Sequence, residues 1–202
     1  FRVSGAEKPQ KIYFFTKGED DTYTVSGMLE GDGSAIYKVD YVDLDGSGYK
    51  EVVVSWQMST GAYLLGVYSL EGPMSRNRLQ SANAAADAGK NSTSATVQKD
   101  DLRGTELMTT AYGDYILTDI DQDARTEVAV VRIDPSLTSS GVDVYGWKEN
   151  TFQKLDSAPL SAGVVSVGRG GVEQNFISDD PPARALYVST ELSDGSRVVD
   201  VI

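Results

Sequence analysis

Two stretches of this chain crowd carboxylates at the entrance to a run of β-branched residues. One is Asp43-Leu44-Asp45-Gly46-Ser47-Gly48-Tyr49-Lys50-Glu51, the other Asp119-Ile120-Asp121-Gln122-Asp123-Ala124-Arg125-Thr126-Glu127. Both follow the frame Asp-x-Asp-x-x-x-x-x-Glu. A hard cation such as Ca2+ takes six to eight oxygens at about 2.3 to 2.6 Å, and a tight loop supplies them from alternate side chains, a backbone carbonyl and a later carboxylate. In the first loop those donors fall on Asp43, Asp45, Ser47, the carbonyl of Tyr49 and Glu51, with Gly46 and Gly48 allowing the sharp turn. In the second they fall on Asp119, Asp121, Asp123, the carbonyl of Arg125 and Glu127, with Gln122 and Ala124 where the glycines stood, so a stiffer turn is expected. Three or four carboxylates in one loop repel one another unless a cation sits among them. The competing explanation is a pair of Asx turns, in which each Asp caps local N–H groups and leaves its spare charge in water. Recurrence of the frame before two β-branched strands favours an ion in at least one loop.

Other chemistry is harder to build from these residues. With no cysteine and no histidine, the chain offers no disulfide, no zinc-thiolate site and no proton relay through imidazole. Serines lack a Gly-x-Ser-x-Gly elbow as well as an imidazole partner. Thirty acidic against 18 basic residues, a net charge of −12, argue against a nucleic-acid partner, which needs a basic stripe. A glycosidase pair of carboxylates is a weaker alternative, because 30 acidic residues will produce such a pair by accident. Asp-x-Asp also holds nucleotide diphosphates in metal-dependent glycosyltransferases, but those sites belong to α/β folds. Gly168, Gly170 and Gly171 echo a phosphate loop without its helix or its Lys, and read as a turn. Trp56, Trp147 and Tyr145 could form a carbohydrate platform, although packing is the commoner use of large aromatics.

The elements that must position the loops are short and β-rich. KIYFFT, DTYTVSGML, AIYKVDYV, EVVVSW, AYLLGVYSL, GDYILTDI, EVAVVRI, GVDVYGW, GVVSVG, ALYVSTEL and SRVVDVI alternate with turn residues, and Glu149-Asn150 reads as a tight hairpin turn. None of these runs approaches the ~20 apolar residues needed to span a bilayer. Residues 73–106 read as a surface insertion with one helical turn at ANAAADA, since Val97 is the one aliphatic residue larger than alanine between Ser81 and Asp101. The Asn91-Ser92-Thr93 sequon there reads as a chance match. The repeated frame divides the rest into units at about 1–34, 35–72, 107–160 and 161–202, each running strand, loop, strand and hairpin. The first unit has almost no acidic ligands in its loop, and in the last Pro181 and Pro182 occupy the place of the acidic wrap beside Asp179 and Asp180. A start at Phe1 is what export processing or trimming would leave.

DLDGSGYKEVVV and DIDQDARTEVAVV resemble the FG-GAP/VCBS type of β-propeller repeat, whose blades carry an Asp-x-Asp-Gly-Asp-Gly-x-x-Asp/Glu calcium loop between their first two strands. The layout, including ALYVSTELSDGSRVVDVI, is also similar to a family of exported lipoproteins of gut Firmicutes built from such repeats. The resemblance implies an all-β, propeller-like array of about four small antiparallel sheets, loop-bound calcium and an extracytoplasmic location, secreted or lipid-anchored. It departs from the repeat pattern at Ser47, Gln122 and Ala124, and Glu51 and Glu127 stand where many members have Asp. The resulting expectation is a non-enzymatic binding or scaffolding module for a protein or glycan at the cell surface, with a carbohydrate-active enzyme or its accessory domain as the alternative.

Overall fold

A computed structural model describes residues 7–70, 103–133, 140–161, 170–179, 182–191 and 194–202. Within them the chain is all-β. The strands are β1 (Gln10–Lys17), β2 (Tyr23–Gly31), β3 (Ala35–Val42), β4 (Glu51–Gln57), β5 (Tyr63–Ser69), β6 (Thr105–Thr118), β7 (Glu127–Ile133), β8 (Ser140–Lys148), β9 (Thr151–Pro159), β10 (Gly170–Asp179), β11 (Pro182–Glu191) and β12 (Arg197–Val201). All pair antiparallel with their sequence neighbours, as β1–β2, as β3 to β9 in order, and as β10–β11–β12. The region of ANAAADA and the sequon, and the run GVVSVG, lie outside the described residues.

The long run from β3 to β9 is folded back on itself at β6. The first half of β6, to Ala111, pairs with β5, and the second half, from Tyr112, pairs with β7. Gly113 is skipped in the register at the changeover, a β-bulge of the kind that bends and twists a strand. As a result Val53, Leu65 and Val67 of one half pack against Val128 and Val130 of the other, which a flat sheet would forbid. Two further apolar layers flank this one. Leu29, Ile12 and Phe14 cover Val52, Val54 and Trp56, while Val172, Leu186 and Val188 cover Ala129, Val131 and Val142. β4 and β7 therefore have apolar neighbours on both faces, which is why EVVVSW and EVAVVRI read as continuous runs instead of alternating ones. Four antiparallel layers stack in chain order. Among the described residues they do not form a closed ring.

The two middle layers repeat one another closely. β3 against β4 bulges at Tyr37 and β6 against β7 at Gly113, each five positions before the residue that pairs with Glu51 or Glu127. β5 against β6 bulges between Val67 and Tyr68, and β8 against β9 between Val144 and Tyr145, again at matching positions. The first strands of successive layers lie side by side. Phe14 meets Tyr41 edge to face at 6.2 Å, Tyr115 Oη donates to Asp40 Oδ2 at 2.6 Å, and the Val172 N–H donates to Asp114 Oδ2 at 3.0 Å.

Two expectations change and one holds. β6 starts at Thr105 and Arg103 bridges to Met28, so the insertion read over 73–106 ends inside structured chain. Its Thr-rich, half-exposed strand TELMTTAY lacks the apolar signal that marked the others. Gly170 and Gly171 lie in β10, opposite Thr190 and Ser189, and not in a turn. Glu149 and Asn150 do form the tight hairpin turn, with φ of 52° and 61°.

Candidate metal centre

The acidic loops join β3 to β4 and β6 to β7, the first and second strands of the two middle layers. Because these layers stack in the same sense, both loops emerge at the same end. The side chain of Arg125 lies over the first loop, with Cγ and Nε each 3.7 Å from the point where a Cβ on Gly46 would stand. The two loops are thus neighbours, a relation that no spacing in the sequence discloses.

Four hydrogen bonds recur at equivalent positions of the two loops, and the first loop has a further one, from the Gly46 N–H to Asp43 Oδ1 at 2.8 Å. Asp43 Oδ2 accepts from the Gly48 N–H at 2.8 Å, and Asp119 Oδ2 from the Ala124 N–H at 3.2 Å. Asp45 Oδ1 accepts from Ser47 N–H at 2.8 Å, and Asp121 Oδ1 from Asp123 N–H at 3.1 Å. Ser47 Oγ accepts from Tyr49 N–H at 3.2 Å, and Asp123 Oδ1 from Arg125 N–H at 2.8 Å. Glu51 Oε2 reaches back to the Leu44 N–H at 2.9 Å, and Glu127 Oε2 to the Ile120 N–H at 2.7 Å. These are Asx turns, so that explanation of the Asp residues describes part of the geometry. It does not describe the buried glutamates.

The backbone repeats as well. Gly46 and Gly48 have φ of 75° and 81°, and the residues in their places, Gln122 and Ala124, have φ of 65° and 69°. Side chains in the left-handed region cost about 1 to 2 kcal/mol each. The second loop keeps the shape of the first without the residues that make it easy, and the expected stiffness appears as strain in place of a different turn.

The carboxylates converge instead of splaying. One oxygen from each of Asp43, Asp45 and Glu51 lies within 4.8 Å of the others, and the same holds for Asp119, Asp121 and Glu127. Glu51 is 1% exposed and Glu127 4%. Burial, reinforced by the charges of Asp45 and Asp43, pushes the Glu51 carboxyl up to about 7 despite the Leu44 N–H. Burial, with Asp121, Asp123 and Asp119, pushes Glu127 up to about 6. Asp45 is held below the usual carboxylate range: desolvation opposes this and is outweighed by hydrogen bonds from Ser47 and its own loop. Buried carboxyls held up first by desolvation and then by neighbouring negative charge are the groups that an added positive charge would favour in ionised form.

Of the ten positions read from the sequence, the structure gathers six carboxylates into two groups of three. Ser47 Oγ and Asp123 Oδ1 instead accept from the next-but-one backbone amide. The Tyr49 and Arg125 positions are where those amides originate. Asp179 lies opposite Pro182 in register, and Asp180 and Pro181 lie outside the described residues. Trp56 is buried and bonded through Nε1 to Tyr68 Oη at 3.0 Å, Trp147 packs on Phe152, and Tyr145 stacks on the same ring. These three aromatics serve packing and form no platform. No helix among the described residues is long and apolar enough to cross a membrane. Comparison with protein-family models, with curated proteins and with solved structures found no match.

Proposed function

We propose that the chain is an arc of a β-propeller whose two middle blades bind Ca2+ at the Asp43 and Asp119 loops, and that it acts as a non-enzymatic extracytoplasmic binding or scaffolding module. The observation that carries this reading is the convergence of Asp43, Asp45 and Glu51, and of Asp119, Asp121 and Glu127, on loops that share four equivalent hydrogen bonds. Oxygen-only donors suit a hard cation, and the absence of imidazole and thiolate in the sequence disfavours a softer one. Two loops of three carboxylates each, with the remaining positions left to carbonyls and water, match calcium sites of extracellular modules, which fill at about 0.1 to 1 mM. That is the ground for the extracytoplasmic assignment, alongside the resemblance to exported repeat proteins.

The propeller reading draws on the side-by-side first strands of successive layers and on their face-to-face apolar packing, which is how blades are arranged around an axis. Calcium would tie the first two strands of each middle blade together and stabilise the fold by linkage, because the unfolded chain has no preformed site. The carbohydrate-active alternative has less support, since the large aromatics it would use are engaged in packing and the two buried glutamates belong to the loops.

The test is a thermal melt of chelator-treated protein with and without 2 mM CaCl2, with Asp43→Ala and Asp121→Ala in parallel. Calcium should raise the melting temperature of the wild type by several degrees, less in either single variant, and not at all in the double variant. An unchanged melting temperature in the wild type would rule the calcium loops out.

A further inference from the structure

The contact between the two middle layers holds a row of tyrosines. Tyr37 on β3 is 60% exposed and meets Tyr63 on β5 edge to face, with ring centroids 5.0 Å apart. Tyr63 meets Tyr112 on β6 at 6.2 Å, and Tyr112 meets Tyr115 at 5.4 Å. Tyr112 is buried, so the row passes from solvent through the core. At its far end the half-buried Tyr115 donates from Oη to Asp40 Oδ2 at 2.6 Å. Lys38 Nζ lies 3.0 Å from the same oxygen and 4.9 Å from the centre of the Tyr115 ring.

Packing alone does not call for these phenols. In the register shared by the two middle layers, Tyr112 corresponds to Ile36, Tyr115 to Val39, Tyr63 to Ser140 and Tyr37 to Gly113. Ile36 and Val39 pack on their own apolar layer with no hydroxyl to satisfy. Tyr112 Oη instead shares a hydrogen bond with the buried Ser55 Oγ, and Tyr115 is matched to a carboxylate. Burial, followed by the hydrogen bond to Asp40 and its charge, pushes the Tyr115 hydroxyl above its ordinary range, so the phenol keeps its proton as long as the ring is reduced. Removal of an electron turns a phenol into a strong acid, and Asp40 is in place to take the proton at that moment. Lys38 beside the ring disfavours a positive charge there and so favours the neutral product.

We propose that this row is a site of one-electron oxidation, in which an oxidant at the surface beside Tyr37 draws an electron from Tyr115 through Tyr63 and Tyr112. At Tyr115 the O–H bond breaks, the proton goes to Asp40 Oδ2, and a neutral phenoxyl radical remains. The oxidant, a one-electron acceptor such as a high-valent metal complex, is reduced by one electron, and no other bond changes. The ring contacts supply the path for the electron, and the hydrogen bond to Asp40 supplies the path for the proton. Placing the radical on a half-buried ring keeps it from meeting a second radical and coupling to dityrosine. The inference stands apart from the calcium loops and from the binding-module reading.

The test uses the full chain and photogenerated tris(bipyridine)ruthenium(III), with electron paramagnetic resonance of samples frozen after the flash. The wild type should give a long-lived signal with the hyperfine pattern of one fixed tyrosyl ring. Tyr115→Phe should abolish that pattern and leave short-lived radicals that end as dityrosine between exposed tyrosines. Tyr63→Phe keeps the ring contacts and removes the oxidisable phenol, so it should lower the radical yield severalfold, which a role in packing alone would not do. Asp40→Asn should shorten the radical lifetime severalfold, and Asp40→Glu should restore most of it. Tyr41→Phe, exposed but outside the row, should behave as the wild type does. Thermal melts of each variant confirm that it is folded. No long-lived signal in the wild type, the same signal in Tyr115→Phe, an undiminished yield in Tyr63→Phe, or an equal lifetime in Asp40→Asn would each overturn the proposal.

Discussion

Replacing Glu51 with Gln separates the electrostatic account of the loops from a purely structural one. Glutamine keeps the shape of the side chain and can still accept the Leu44 N–H, which Glu51 Oε2 does at 2.9 Å. What it removes is a buried charge beside Asp43 and Asp45. A carboxyl raised from 4.5 to about 7 by burial and those neighbours holds its proton more tightly in the folded protein than in the unfolded chain. Its contribution is therefore present below about pH 4.5 and is lost as the pH rises through about 7. At about 1.4 kcal/mol per pH unit, the ionised side chain costs the calcium-free fold about 3 kcal/mol at pH 8. Glu51→Gln should accordingly raise the melting temperature in chelator at pH 8 by roughly 6 to 12 °C, from about 2 to 4 °C per kcal/mol in a chain of this size. At pH 5, where Glu51 is already protonated, the gain should nearly vanish. Calcium should cancel most of the benefit. At a free concentration a hundred times Kd, each loop adds about 2.7 kcal/mol to the wild type, and the variant should gain from the Asp119 loop alone. Scanning calorimetry at pH 5 and pH 8, with chelator and with calcium, reads all four conditions. A variant that melts lower than wild type in chelator at pH 8, or one that keeps the full calcium response, would refute the reasoning.

The strained second loop should be improved by the residues it lacks: Gln122→Gly and Ala124→Gly should each stabilise the calcium-free protein by about 1 kcal/mol in urea denaturation, because positive φ is then free of the Cβ clash. Tyr112→Phe should destabilise by about 1 to 3 kcal/mol, since it strands the buried Ser55 hydroxyl that bonds to Tyr112 Oη, and Ser55→Ala in the same chain should restore part of the loss. Leu65→Ala, in the layer between the two middle sheets, should cost about 2 to 5 kcal/mol by the same measurement.

Much of this arrangement was legible in the sequence, for identifiable reasons. EVVVSW and EVAVVRI announce strands covered on both faces, and the recurrence of Asp-x-Asp before each marks them as equivalent members of a repeat. The hairpin at Glu149-Asn150 follows from its flanking alternation. The first half of β6 escaped because Thr105, Thr109 and Thr110 carry no apolar period, and its role comes only from pairing with β5. The left-handed backbone at Gln122 and Ala124 could not be read from residues that avoid it; the repeat, not the local chemistry, imposes it. The approach of Arg125 to Gly46 is a product of stacking between layers, so it depends on tertiary geometry that no local spacing encodes.

The central claim is that converging carboxylates at two equivalent loops await a divalent ion. Isothermal titration of CaCl2 into chelator-stripped protein at pH 6.5, repeated in two buffers of different ionisation heat, tests it most directly. The account predicts saturation at two ions per chain, with an apparent heat that differs between the buffers because Glu51 and Glu127 release protons on binding. A titration with no heat beyond dilution in either buffer would contradict it.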